Sequence, residues 1–208
     1  MSFPIHPLDK ALGDITSIRR QVARTTEFRG YGAATLAATG MLAIVAAIAQ
    51  ALLLPNPASH IDNYLRIWIT TAILSAVLIG MQTLTRTRRI HSGMADEMIL
   101  MAVEQFLPSV GAGALISVVI VRLVPGSVWM LPGLWQITFS LGVFASCRFL
   151  PKPMTAAGCW YLLTGLTCIG LGDTRALTPW SIGIAYGVGQ FLVASVLLWG
   201  SKEDRDEI

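Results

Sequence analysis

Residues 30–59, 67–85, 105–121, 123–147, 153–172 and 176–201 form six stretches without a single Asp, Glu, Lys or Arg. A hydrocarbon layer about 30 Å thick is crossed by roughly 20 apolar residues of helix. A helix also satisfies its own backbone hydrogen bonds where no water is at hand, which a single strand or loop cannot do. Six spans and their connections take up nearly all of the 208 residues. The expected fold is therefore an all-α integral membrane protein, a six-transmembrane-helix bundle without a separate extramembrane domain. With 54% hydrophobic and 13% charged residues and a mean hydropathy of +0.63, the chain has too little polar surface for a water-soluble globule.

Trimming the apolar runs by flanking residues and aromatic positions predicts helices at 32–54, 64–85, 107–124, 128–149, 154–172 and 178–200, within a transmembrane domain of 30–200. The alternative is five spans, with the glycine-rich 153–172 segment re-entrant. If the N-terminus is cytoplasmic, Lys10, Arg19, Arg20, Arg24, Arg29, Arg86, Arg88, Arg89, Arg148, Lys152, Lys202 and Arg205 all fall inside, and only Arg66, Arg122 and Arg175 outside. A bias of 12 to 3 follows the positive-inside rule and predicts both termini in the cytoplasm, N-in and C-in. The expected location is the cell (plasma or inner) membrane, as a multi-pass protein. The same topology puts Tyr64, Trp68, Trp129 and Trp180 near the outer interface, and Tyr31, Trp160, Tyr161 and Trp199 near the inner one, as an aromatic belt.

Residues 1–29 show no short apolar run behind a basic start and so do not read as a secretory signal. Leu8, Leu12, Ile15, Ile18 and Val22 instead recur at helical spacing, with Arg19, Arg20 and Arg24 on other faces, which predicts an amphipathic cytoplasmic helix. Such a helix lies on an anionic leaflet or packs under the bundle as an anchor. In the second cytoplasmic segment Ser92 is a candidate N-cap, and Asp96 and Glu97 follow in the first turn, where the helix dipole favours acids. Pro108 is expected to kink or break the helix beyond it. Segments 1–29 and 86–106 are the candidate docking sites for a cytosolic protein, and membrane lipid is the other expected partner. Residues 201–208 form a charged cytoplasmic tail.

Small residues on single helix faces, Ala43 with Ala47 and Gly183 with Gly187, permit close helix approach in lipid. Intramolecular packing is the expected use, with a homo-oligomer as the alternative.

Polar groups at membrane depth are where function is expected. By the predicted ends, Gln136 and Gln190 lie about 12 and 18 Å along the fourth and sixth helices at about 1.5 Å per residue, which is read as similar depth near the midplane. Pro132-Gly133 next to Gln136 is expected to interrupt the helix and free backbone carbonyls for a cavity. Gln136, Gln190, Tyr186 and Trp135 are thus the candidate ligand-binding set, and interhelical hydrogen bonding is the plainer use of the same amides. Arg66 and Arg122, with His60, Asp62, Asp173 and Arg175 in adjacent loops, are a candidate outer-face site for an anion or lipid headgroup, although long Arg side chains near helix ends commonly snorkel to water.

Other chemistry finds little support. Cys147, Cys159 and Cys168 form no CxxC, and His6, His60 and His91 lie in three separate segments, so neither a metal nor another cofactor is expected. Ser140 and Ser195 have no neighbouring base, and no catalytic residue is assigned. The basic residues flank spans rather than form a nucleic-acid surface. The leading reading is a non-enzymatic, membrane-embedded binding or regulatory protein; the alternative is a small-solute transporter or channel using the midplane polar site.

Overall fold

The computed structural model describes residues 32–89, 93–147 and 153–206, and among these every regular element is helical. Six α-helices follow one another: α1 (Ala33–Leu53), α2 (Ile61–Arg89), α3 (Gly93–Leu123), α4 (Leu131–Ser146), α5 (Met154–Gly170) and α6 (Pro179–Asp206). Short 3-10 turns at Pro57–Ser59, Pro125–Met130 and Thr174–Leu177 join α1 to α2, α3 to α4 and α5 to α6. They mark one end of the bundle, called the turn end below. The expected 1–29 helix, Ser92 and the side chains of Asp96 and Glu97 lie outside the described residues.

Five segments are long and apolar enough to cross a membrane: Ala33–Leu53, Ile61–Gln82, Glu104–Leu123, Pro125–Ser146 and Pro179–Val196. The shorter apolar helix Met154–Gly170 has 17 residues, about 25 Å at 1.5 Å per residue. It is an unbroken helix and packs antiparallel along α4, with Gly158 against Phe144 near one end and Gly165 and Ile169 against Gly133 near the other.

Every helix contributes large apolar side chains to the surface, for example Leu52, Ile73, Leu115, Leu141, Leu163 and Ile184. Leaving such side chains in water forfeits roughly 1.5–3 kcal/mol apiece. An outer surface of this kind is compatible with a lipid environment. The interior is built instead from small, aromatic and amide side chains. Ala47 packs against Gly183, and Ile44 against Gly187, bringing α1 and α6 together antiparallel. Between α4 and α5 backbone faces backbone: a Cβ on Gly133 would stand 2.7 Å from the Gly165 carbonyl, and one on Gly165 2.8 Å from the Gly133 carbonyl. The small-residue faces are thus used within one chain. Around the bundle the packed neighbours run α2, α1, α6, α5, α4, α3, whereas α2 and α3 touch only slightly.

Several local expectations are corrected. The helix of α3 runs through Pro108 without a break from Gly93 to Leu123. Pro132 does not interrupt a helix either: it sits in the first turn of α4, where the missing N–H has no intrahelical partner to lose. The 3-10 turn over Pro125–Met130 occupies the length from which the sequence starts the fourth helix. Tyr64, Trp68 and Tyr161 are not interfacial anchors, because their positions turn them inward and all three are buried. Gly172, with φ +71°, takes the left-handed conformation just past the end of α5 and stops that helix.

Candidate functional site

Three interior amides organise the bundle, one each on α1, α4 and α6. Gln50 has no exposed surface. Its Nε2 donates to the Leu177 carbonyl at 2.8 Å, and its Oε1 accepts from Trp68 Nε1 at 2.7 Å. Both ends of the amide are therefore used, tying α1 to α2 and to the turn before α6. Gln136, equally buried, donates from Nε2 to the Ser181 carbonyl at 3.0 Å, but its Oε1 has no partner. Gln190 is half-buried and its Oε1, fully enclosed, also has none.

The two candidate amides do not lie at one depth. Gln136 bonds at Ser181, nine residues before Gln190 on α6, which is about 13 Å at 1.5 Å per residue. Gln190 sits instead beside Gly40 of α1. Gln136 is five residues into α4, whereas Gln190 is eleven residues into α6.

Aromatic rings fill the space between these levels. Phe139 meets Tyr161 and Tyr186 edge-on, at centroid distances of 4.7 and 5.3 Å, and Tyr161 lies 5.2 Å from Tyr186. Phe106 of α3 joins the group from the other side, 5.1 Å from Phe139. The hydroxyl end of the Tyr161 ring lies against Gly189, where any side chain would collide with it. Trp135 points away from this group: its Nε1 donates to Ser117 Oγ on α3 at 2.7 Å, and its ring stacks 6.4 Å from that of Tyr64 on α2, inclined by 10°. The hydroxyls of Tyr64 and Tyr161, both buried, have no hydrogen-bond partner.

No family model, curated protein or solved structure matches this chain. The residues themselves therefore carry the functional argument.

Of the four predicted ligand-binding residues, Gln136, Tyr186 and Gln190 line the interior at successive levels, and Trp135 bridges α2 and α4 to α3. Gln50 stands outside the candidate set, and Tyr64 and Tyr161 enter the sequence reading only as interfacial aromatics. Gln50 carried the same signal as the chosen pair, as the one amide in an Ala- and Leu-rich helix. The tyrosines gave no such signal, since a Tyr near a span end reads equally well as an interfacial anchor.

At the turn end, Arg66 and Arg122 are exposed. Asp173 is engaged by Arg175, whose Nε donates to both carboxylate oxygens at 2.8 and 3.0 Å and whose backbone N–H donates to one of them at 2.9 Å. The guanidinium hydrogen bond holds the Asp173 carboxyl below its ordinary range, and the same contact raises Arg175 above its own. Among the described residues no group of three or more His, Cys, Asp or Glu side chains comes together. The Ser140 and Ser195 hydroxyls each donate to a carbonyl of their own helix, Ile137 and Phe191.

Proposed function

We propose that the chain is a six-span integral membrane protein of the cell membrane, with both termini cytoplasmic, that binds a small neutral molecule inside its bundle and performs no chemistry on it. One observation carries the reading. Inside an apolar shell the bundle keeps two carbonyl acceptors, Gln136 Oε1 and Gln190 Oε1, and two phenolic hydroxyls, Tyr64 and Tyr161, without partners. A buried polar atom left unpaired costs about 1–3 kcal/mol, so a donor-bearing ligand or ordered water is the fitting complement. Between 67 and 85, and likewise in the other charge-free stretches, the helices carry no Asp, Glu, Lys or Arg, which favours a neutral ligand over an ion.

Binding is favoured over an open pore by the packing at the turn end. There Tyr64, Trp68 and Leu177 are closed in one apolar cluster, with Trp135 packed against it. The transporter reading would require that cluster to open. Segments 1–29 and 86–106 supply the cytoplasmic face through which an anionic lipid surface or a cytosolic protein would be engaged. The sixth span is supported by the antiparallel run of α5 along α4, and the topology by the 12-to-3 distribution of basic residues.

The test is calorimetric titration of the purified protein in nanodiscs with glycerol, urea and acetamide, three small neutral donors. Saturable binding that is lost in Gln136→Leu, with the melting temperature kept, supports a site at the Ser181 level, and binding lost only in Gln190→Leu one at the Gly40 level. Flux of the same solutes into liposomes would instead favour the transporter. Absence of both binding and flux would remove the site.

A further inference from the structure

We infer that one ordered water bridges the Tyr64 hydroxyl and Gln136 Oε1 at the level of Ser181, held between α2, α4, α5 and α6. The inference rests on the same unpartnered atoms as the proposed interior site and fixes what occupies its Ser181 level.

The first ground is the fixed direction of the Gln136 amide. Its Nε2 donates to the Ser181 carbonyl at 3.0 Å. Turning the amide over would set oxygen against that carbonyl, so the acceptor is the end left over. Gln136 has no exposed surface and its Oε1 no partner. Gln50 supplies the contrast within the same bundle: protein groups use both ends of its amide, and it has no need of water.

The second ground is what else converges on that level. The Cys168 thiol of α5 points at the Ala176 carbonyl at 3.7 Å and lies within hydrogen-bonding reach of the Ser181 side chain. One turn back on α5, Gly165 packs against Gln136. Tyr64 of α2 has Cys168 and Tyr186 as its electrostatic neighbours. Its ring stacks on Trp135, the residue before Gln136, and belongs to one buried cluster with Leu177 and Ile182, the latter next to Ser181 in sequence. Tyr64 and Gln136 are thus brought to the same place, one from α2 and the other from α4.

The third ground is chemistry. A phenolic hydroxyl has one hydrogen to donate, and an amide oxygen can only accept. A water accepts from the first, donates to the second, and keeps a hydrogen for the Cys168 sulfur or the Ser181 hydroxyl. That makes about three hydrogen bonds, the usual complement of a buried water. Size points the same way. Tyr64, Gln136, Ala176 and Leu177 leave at most 1% of their surface exposed. A larger solute at this level would have to displace the water and part this packing.

The experiment is X-ray radiolytic footprinting of the full chain in phosphatidylcholine nanodiscs, with oxidised side chains mapped by mass spectrometry. Hydroxyl radicals formed from a bound water mark the side chains around it even where bulk water does not reach. Tyr64 and Cys168 are expected to be marked. Trp68, buried in the same cluster with its indole N–H bonded to Gln50, is expected to stay unmarked. In Gln136→Leu the marks on Tyr64 and Cys168 should fall to the Trp68 level, and Tyr64→Phe, which keeps the ring, should lose the mark on Cys168. Melting temperatures give a second reading: the shifts of Tyr64→Phe and Gln136→Leu should fail to add in the double variant, since either change already releases the water. Marks on Tyr64 and Cys168 no stronger than on Trp68, marks that persist in Gln136→Leu, or additive shifts would overturn the inference. If calorimetry finds no solute binding while the marks and the non-additivity are present, the water stands and the solute reading falls. If solute binding depends on Gln136 while the marks are absent, the solute site stands and the water falls.

Discussion

Trp68 on α2 donates its indole N–H to the side-chain oxygen of Gln50 on α1 across 2.7 Å, and the same amide donates onward to the Leu177 carbonyl. One side chain therefore holds three segments that are far apart in sequence. Gln50→Leu should destabilise the protein by about 1–3 kcal/mol, because it leaves an indole N–H and a carbonyl unpaired in a dry interior, although single bonds between membrane helices average only about 0.6 kcal/mol. Thermal unfolding in a fixed detergent measures this; an unchanged midpoint would show that the amide contributes no net stability.

Gln136→Leu should behave differently. It gives up the bond to the Ser181 carbonyl but also removes an acceptor that has no partner. The two effects oppose each other, and the expected change is within about 1 kcal/mol. A loss as large as that of Gln50→Leu would mean that Oε1 is satisfied in the membrane by a tightly held group.

Glycines divide into two classes by what surrounds them. Gly133→Ala and Gly165→Ala each push a methyl to within 3 Å of the facing backbone carbonyl. Each should cost about 1–3 kcal/mol, since backbone cannot move aside as a side-chain tip can. Gly80→Ala and Gly111→Ala meet nothing within 4 Å, and should be neutral or stabilising by up to about 1 kcal/mol through helix propensity. Parallel melting curves of the four variants separate the classes.

The Asp173–Arg175 pair gives a signed pH dependence. The Asp173 carboxyl is held below its ordinary range by the Arg175 hydrogen bond. Its contribution is present above the unfolded-state pKa and is lost as pH falls through the lower folded-state value. Arg175 is raised, so its share is full at all lower pH and would be lost only in strong alkali. Both groups are exposed, and the effect on stability should be small. Carboxyl NMR should place the Asp173 midpoint below that of an unpaired Asp, and Arg175→Gln should raise it part of the way back, because the backbone N–H of residue 175 still donates to the carboxylate.

Topology is open to direct measurement. A membrane-impermeant thiol reagent applied to intact cells should reach a cysteine placed at Ser59 or Thr174, in the loops of the turn end, and not one at Ser201. Labelling at Ser201 from outside would invert the proposed orientation.

Charge distribution made the helices themselves legible. The first span was expected at 32–54 and is observed at Ala33–Leu53; the fifth was expected at 154–172 and ends at Gly170. The α2 and α6 helices run past their expected ends as far as Arg89 and Asp206, because a helix continues beyond an apolar segment when its polar extension can be solvated. Pro132 is in the first turn of α4 and not a break within it, and a proline looks the same in sequence at either place.

The sequence by itself determined that the chain is helical and which segments are apolar enough to cross a membrane. Charges are too costly to desolvate, and backbone groups in lipid must bond within their own helix. Only the tertiary structure decided which residues meet. Each residue turns the helix by about 100°, so a small change in where α4 begins or how α5 crosses it moves a side chain from one neighbour to another. Gln136 meets Ser181 of α6, and Gly133 meets Gly165 of α5. Both are properties of how two helices approach, and neither is written in the hydropathy of either one.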